Sequence, residues 1–140
     1  MEMEQEPATT APYPAVAIDG PAGAGKSTVA RALAGRLGFF LLDTGAIYRS
    51  LALFAQRGGV AWDDEAHLAG MAETLPLRFG RGTEDGRVFL AGDDVSTAIR
   101  DPEVSLGASQ VSQHPRVREA LLGLQRRLAQ SGPCVAEGRD

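Results

Sequence analysis

Lysine is almost missing from this chain. Of 140 residues only Lys26 is a lysine, whereas thirteen are arginines. Cysteine and tryptophan also occur once each, as Cys134 and Trp62, and histidine twice. A lone cysteine cannot close an internal disulfide, so no disulfide framework holds the fold and a reducing, cytoplasmic setting is expected. His67 and His114 lie too far apart in pattern to form a metal pair. No apolar run approaches the ~20 residues a membrane-spanning helix needs, and no basic-then-apolar leader opens the chain, so no membrane partner is expected. Cations do not predominate either: 14 Lys and Arg against 18 Asp and Glu leave a net charge of −4. That balance argues against a nucleic-acid surface, which needs clustered cations. What remains is an ordinary soluble composition, 44% hydrophobic and 23% charged, long enough for one domain, or one and a small satellite. Monomer is the default expectation.

Along the chain, residues 1–14 (MEMEQEPATTAPYP) are acidic, contain Pro and Thr and hold almost no aliphatics, the composition of a disordered tail. Ala15 to Ile18 is a short apolar run ending at Asp19-Gly20, which predicts a buried strand entering a tight turn. A helical pattern follows from Gly25, with Val29, Leu33 and Leu37 at spacing four beside Ala30 and Ala34, and Gly38 ends it. Phe39 to Leu42 predicts a second strand. Asp43-Thr44 then predicts a cap for a helix through Ile47, Leu51 and Phe54. Strand, helix, strand, helix in this order implies a parallel α/β sheet with right-handed crossovers.

The middle of the chain has a different texture. Asp63 to Thr74 predicts a short helix. Leu75, Leu77 and Phe79 alternate with polar or proline positions, a turn falls at Thr83 to Gly86, and Arg87 to Leu90 returns. This is a hairpin, with a third short strand expected near Asp94-Val95. Two helices follow, each with proline in its first turn, Pro102 and Pro115; the second carries Val117, Leu121, Leu124 and Leu128 on one stripe. Pro133 to Ala136 predicts a last buried strand running into Glu137-Gly138-Arg139-Asp140. The expected division is a core of 15–62 and 97–140 with an insertion over 63–96. Cys134 reads as a core residue, Trp62 as packing where the insertion begins, and His114 as a cap before proline.

The one lysine sits in Gly20-Pro21-Ala22-Gly23-Ala24-Gly25-Lys26-Ser27, followed by Thr28, which matches the phosphate-loop pattern GxxxxGK[ST]. Glycines at 20, 23 and 25 let backbone amides turn inward as an anion nest, and the next helix adds its positive end. Lys26 would meet the β- and γ-phosphates of a nucleoside triphosphate, and the Ser27 hydroxyl would ligate Mg²⁺. The competing reading is a glycine-rich loop with no ligand. The match follows an apolar strand and opens a helix, as the phosphate-binding mechanism requires. Ras-type GTPases read guanine with Asn-Lys-x-Asp, and no second lysine exists to build it.

Beyond this loop, Asp43-Thr44-Gly45-Ala46-Ile47-Tyr48-Arg49 resembles the acceptor-binding element of bacterial cytidylate kinases. Gly107 to Val111, Pro115-Arg116-Val117-Arg118 and Glu137 to Asp140 are similar to further elements of that family, in order and spacing. The resemblance covers about residues 15 to 140. It implies an α/β fold, a P-loop nucleoside monophosphate kinase-like parallel sheet with a small α+β insertion that binds the acceptor and closes over it. It further implies ATP-dependent phosphoryl transfer to CMP or dCMP with Mg²⁺. By the same resemblance, Arg49 and Arg139 hold the acceptor phosphate, Ser109, Arg118 and Asp140 read cytosine, and Asp43, Thr44 and Tyr48 line the acceptor site. Glu137 holds Mg²⁺ through water. Lys26, Arg49 and Arg139 are then the catalytic cations.

Each of these residues also has a plainer reading. Asp43 and Thr44 can be a helix cap, Arg118 a solvated charge, Arg139 and Asp140 an ordinary turn, and Ser109 a surface hydroxyl. Members of the family continue past the equivalent of Asp140 with further strands, adenine contacts and lid arginines. The expectation is therefore an incomplete form, weakly active or inactive by itself. Two other functions stay open: a P-loop kinase for another small metabolite such as shikimate or gluconate, and a fragment that binds nucleotide without catalysis.

Overall fold

The computed structural model describes residues 15–18, 26–37 and 39–137. The tail of residues 1–14, the phosphate loop at Gly20 to Gly25, Gly38 and the final Gly138, Arg139 and Asp140 lie outside the described residues. For Lys26, Ser27 and Glu137 the backbone alone is described.

Three parallel strands make the first sheet: β1 (Ala15–Ile18), β2 (Phe40–Asp43) and β6 (Cys134–Glu137), in the order β1-β6-β2. The last strand in sequence thus lies between the first two, with Ile18 and Asp43 both level with Glu137. Parallel strands need a crossover, and α1 (Lys26–Leu37) supplies the one between β1 and β2. Alternation along the strands sends Leu41 and Val135 toward α1, and Phe40, Leu42 and Cys134 toward the main core. This is the α/β architecture that the sequence predicts.

Of the predicted pattern on α1, the alanine half is what faces the sheet. Ala30 and Ala34 are the buried positions, whereas Val29 is 55% and Leu37 45% exposed. Leu33 packs at the edge of the small cluster that Ala30 and Ala34 form with Leu41 and Val135. Alanine lets a helix lie close on a sheet already crowded with branched side chains, so the small residues face in and the larger ones face out.

The helix α2 (Thr44–Arg57) follows β2 without a linker, and Asp43 caps it by accepting from Ala46 N at 3.1 Å. Its buried residues lie on nearly every side, Ile47, Leu51, Ala52 and Ala55 among them. Against it lie α4 (Pro102–Val111) and, less extensively, α3 (Glu65–Glu73). The helix α5 (Pro115–Ala129) buries Val117, Leu121 and Leu124 and packs on α3. Both α4 and α5 begin with the expected proline. Asp101 caps α4 through Glu103 N, but the His114 side chain does not cap α5 and instead bonds to the Trp62 carbonyl.

The hairpin is the second sheet: β3 (Leu77–Phe79), β4 (Val88–Leu90) and β5 (Asp93–Asp94), antiparallel and in sequence order. Ala91 and Gly92 join β4 to β5 with φ of 51° and 86°, the left-handed pair that a two-residue type I′ turn requires. Leu77, Phe79, Val88 and Leu90 point into the same core as α2 and α5. Arg81 pins the β3–β4 loop to the parallel sheet, its guanidinium 4.9 Å from the Phe40 ring centroid and bonded to Ser131 O. Beyond β5, Ser96 donates from both N and Oγ to Asp94 Oδ1 and accepts from Val88 N. These bonds, with Arg87 at 3.2 Å, hold the Asp94 carboxyl below the ordinary aspartate pKa. Cys134 is fully buried, and burial pushes its thiol pKa up.

Two outcomes test this packing. Ala34→Leu overfills the α1–sheet contact and should cost about 1–3 kcal/mol in urea unfolding, whereas Leu37→Ala, on the exposed face, should stay within ~0.5 kcal/mol. Asp94→Asn should weaken the fold at neutral pH. The Asp94 carboxyl has a depressed folded pKa, so its contribution is present above the unfolded value of 3.8 and lost as pH falls through the lower folded one. Wild-type and Asp94→Asn melting curves should therefore converge below pH 3.8 and separate above it.

Candidate functional site

An open cleft of about 390 Å³ lies between α2 and α4, within the ~300–1,000 Å³ range of small-molecule sites. Gly45, Tyr48 and Arg49 line it from α2; Ser105, Ala108 and Ser109 line it from α4, with Ser112 at the C-cap. Each set follows helical spacing. Residues 45, 48 and 49 share one face of α2, and residues 105, 109 and 112 share one face of α4. The result is a wall of hydroxyls opposite one guanidinium.

Arg49 is held but underused. Its side chain is 24% exposed, and its Asp43 partner stands at 3.9 Å, the long end of an ion pair. The buried Arg49 Nε has no hydrogen-bond partner among the described residues. A buried donor without a partner costs ~1–3 kcal/mol, and an anionic oxygen in the cleft would satisfy it. Gly45 makes this pose possible, because a Cβ there would stand 3.0 Å from Arg49 Nη1 and 3.3 Å from Asp43 Oδ1. The side chain can therefore fold back over the first turn of α2, where the positive end of the helix dipole also favours an anion.

Of the other expected site residues, Ser109 lines the cleft, and Arg118 reaches its edge through Ser112. The Arg118 Nη1 donates to Ser112 O at 2.7 Å, which satisfies a carbonyl at the end of α4. The remaining N–H groups of that fork extend its reach. Asp43 is engaged as the α2 cap and lines a second, narrower cleft with Arg31, Arg87 and Arg100. Thr44 opens α2 and is half-buried, and Thr28 is exposed in the first turn of α1. Ser105, Ser112 and Gly45 carry no role in the sequence reading. The signal that could have found the two serines is the serine repeat at positions i, i+4 and i+7 along α4 and its C-cap.

Gly20, Pro21, Ala22, Gly23, Ala24, Gly25, Arg139 and Asp140 lie outside the described residues. What flanks them is informative. β1 ends at Ile18 and α1 begins at Lys26, so a strand precedes the glycine-rich segment and a helix follows it. Ile18, Glu137 and Asp43 stand side by side at the carboxyl ends of their strands, where open α/β sheets bind ligands. Among the described residues no group of three His, Cys, Asp or Glu could hold a metal ion, and no helix is long and apolar enough to cross a membrane.

The sequence model of the cytidylate kinase family matches residues 16–140. The chain is 50% identical to a cytidylate kinase of Syntrophotalea carbinolica over 125 residues and 51% identical to one of Symbiobacterium thermophilum over 126. A cytidylate kinase of Shewanella loihica is 52% identical over 128 residues. These alignments take in 89%, 89% and 91% of this chain, and 53%, 56% and 56% of the respective relatives. The chain thus spans about half the length of the curated relatives it matches.

Gly45→Ala isolates the Arg49 pose. Its Cβ meets mainly the flexible end of Arg49, so the fold should hold, and alanine is by up to ~1 kcal/mol the better helix former. The expected result is an unchanged or raised melting temperature with weaker binding of ribose 5-phosphate by calorimetric titration. Unchanged phosphate affinity would show that the Arg49 pose does not matter to the cleft.

Proposed function

The chain belongs to the cytidylate kinase family, and from that membership we propose that the protein transfers the γ-phosphoryl group of ATP to CMP or dCMP, giving ADP and CDP or dCDP. The observation that carries the reading is the cleft itself. It sets an under-satisfied guanidinium, Arg49, against three serine hydroxyls, on a chain that also has a phosphate-loop motif between a strand and a helix.

In this reading the Gly20 to Gly25 amides, Lys26 and Thr28 hold the donor phosphates. Arg49 and Arg139 hold the acceptor phosphate as guanidinium forks on a dianion. Nucleoside monophosphate has its second phosphate pKa near ~6, so the attacking oxygen is already ionised at pH 7 and no general base is needed. The protein's work is to bring two polyanions into line and offset their repulsion. Ser27 would hold Mg²⁺ directly and Glu137 through water; a hydroxyl and a carboxylate are hard oxygen groups of the kind this ion takes. Bound with ATP, it supplies charge neutralisation at the phosphates.

Base choice falls to Ser109, Arg118 and Asp140. The carboxylate can accept from the exocyclic amine of cytosine, while Arg118 donates to ring N3 and O2. Uracil presents a donor at N3 and an acceptor at C4, which would leave those groups unpaired, and that is how polar sites reject a near-isostere. Tyr48, Thr44 and Asp43 frame the acceptor side.

A calorimetric panel of CMP, dCMP, UMP, AMP and shikimate tests this. CMP or dCMP should bind at least ~100-fold more tightly than UMP, and Arg49→Ala should lose ~10- to 100-fold in CMP affinity, the value of a charge-assisted bond. Binding that favours shikimate, or fails to separate the nucleobases, would replace this proposal with a different P-loop kinase.

A further inference from the structure

The cleft is as wide as the separation of α2 and α4 allows, and one side chain touches both. Trp62, the single tryptophan, is half-buried in the turn before α3. Its indole Nε1 donates to Ala52 O of α2 at 3.0 Å. Its ring lies on Gly107 of α4 so closely that a Cβ there would stand 2.5 Å from Cε2 and from Cζ2. Its carbonyl is bonded to Nε2 of His114, at 2.8 Å, at the start of α5. Ala52 follows Tyr48 and Arg49 by about one turn, Gly107 precedes Ser109 by two residues, and His114 precedes Arg118 by one turn. The three elements that Trp62 joins are the three that carry Arg49, Ser109 and Arg118.

We propose that Trp62, seated on Gly107 and bonded to Ala52 and His114, is a positioning residue that sets the spacing across the acceptor cleft. The inference rests on the kinase reading above and adds to it a determinant that touches no substrate. Glycine at 107 is what permits the contact. An ordinary carbon–carbon approach is about 3.5 Å or more, so a side chain at 107 forces α4 and the indole apart by ~1 Å, with the indole tied to α2 by its bond to Ala52 O. That shift moves Ser105, Ser109 and Ser112 away from Arg49 together, because they share one rigid helix. Ala52 is already an intrahelical acceptor, so the indole N–H adds a second bond to it and fixes the ring plane against α2. The His114 bond then carries the same reference point to α5, where Arg118 closes the circuit on Ser112 O.

The test is titration of the whole chain with CMP and, separately, with ATP, well below each variant's melting temperature. Gly107→Ala should weaken CMP binding roughly 10- to 100-fold, the scale of effect of a 1 Å displacement, and leave ATP affinity unchanged. Trp62→Phe removes Cζ2 and Cη2, two of the three indole carbons that the new methyl would strike. The double variant Gly107→Ala/Trp62→Phe should therefore bind CMP more tightly than Gly107→Ala alone. Equal CMP affinity in wild type and Gly107→Ala, or a double variant whose losses simply add, overturns the positioning role. So does a parallel loss of ATP affinity, which marks general damage to the fold. A wild type that binds no CMP brings down the kinase reading and this inference together; wild-type binding with an unaffected Gly107→Ala brings down the inference alone.

Discussion

A helix buried on nearly all its sides cannot choose its own position; its neighbours decide it. That is the condition of α2, where Ala46, Ile47, Leu51, Ala52, Leu53 and Ala55 are all buried. β2 delivers it, Asp43 caps it, α4 runs along it, and Trp62 bonds to one of its carbonyls. Burial on this scale also traps polar groups. The Ser50 hydroxyl is fully buried with no partner among the described residues, as is Arg49 Nε. The two differ in outlook, since Ser50 is wholly enclosed whereas Arg49 opens on a cleft that can admit a ligand.

The same constraint explains why small residues sit where they do. Gly45 leaves room for the Arg49 guanidinium over the first turn of α2, and Gly107 leaves room for the Trp62 ring on α4. Ala30 and Ala34 leave room for α1 on the sheet. In each case the missing volume is filled by a large or charged group, from the next turn of the same helix at Gly45 and from another element at Gly107, Ala30 and Ala34. Close packing transmits displacement because it leaves no slack, so the cleft between α2 and α4 is bounded by contacts that lie outside it.

Much of the secondary structure is legible from residue patterns. The apolar runs, the Asp43 cap and the prolines at 102 and 115 mark their elements to within a residue or two, because these signals act through local backbone chemistry. The α1 stripe is not legible in the same way. Val29 and Leu37 have the right spacing to be buried, and so do Ala30 and Ala34; periodicity identifies a face without saying how close the sheet stands. Of the site, Tyr48, Arg49 and Ser109 are found by resemblance and do line one cleft. Ser105 and Ser112 are missed because a serine repeat points to a site only once a cation is known to face it, and Gly45 because a glycine on a helix has no distinguishing local signal. His114 occupies the predicted cap position, yet its ring bonds across 52 residues to Trp62, a partner that no local pattern specifies.

The sequence by itself determines that Lys26 lies in a phosphate-loop motif between a strand and a helix, because that pattern is local and its spacing is its meaning. It also determines the family, since the matching elements run in order along the chain. Tertiary structure alone decides that the last strand lies between the first two, that alanines rather than Val29 and Leu37 face the sheet, and that Trp62 meets Gly107 and His114. Such contacts depend on the angle and distance at which separate elements pack. Those quantities are settled by the whole core at once, and no stretch of residues encodes them alone.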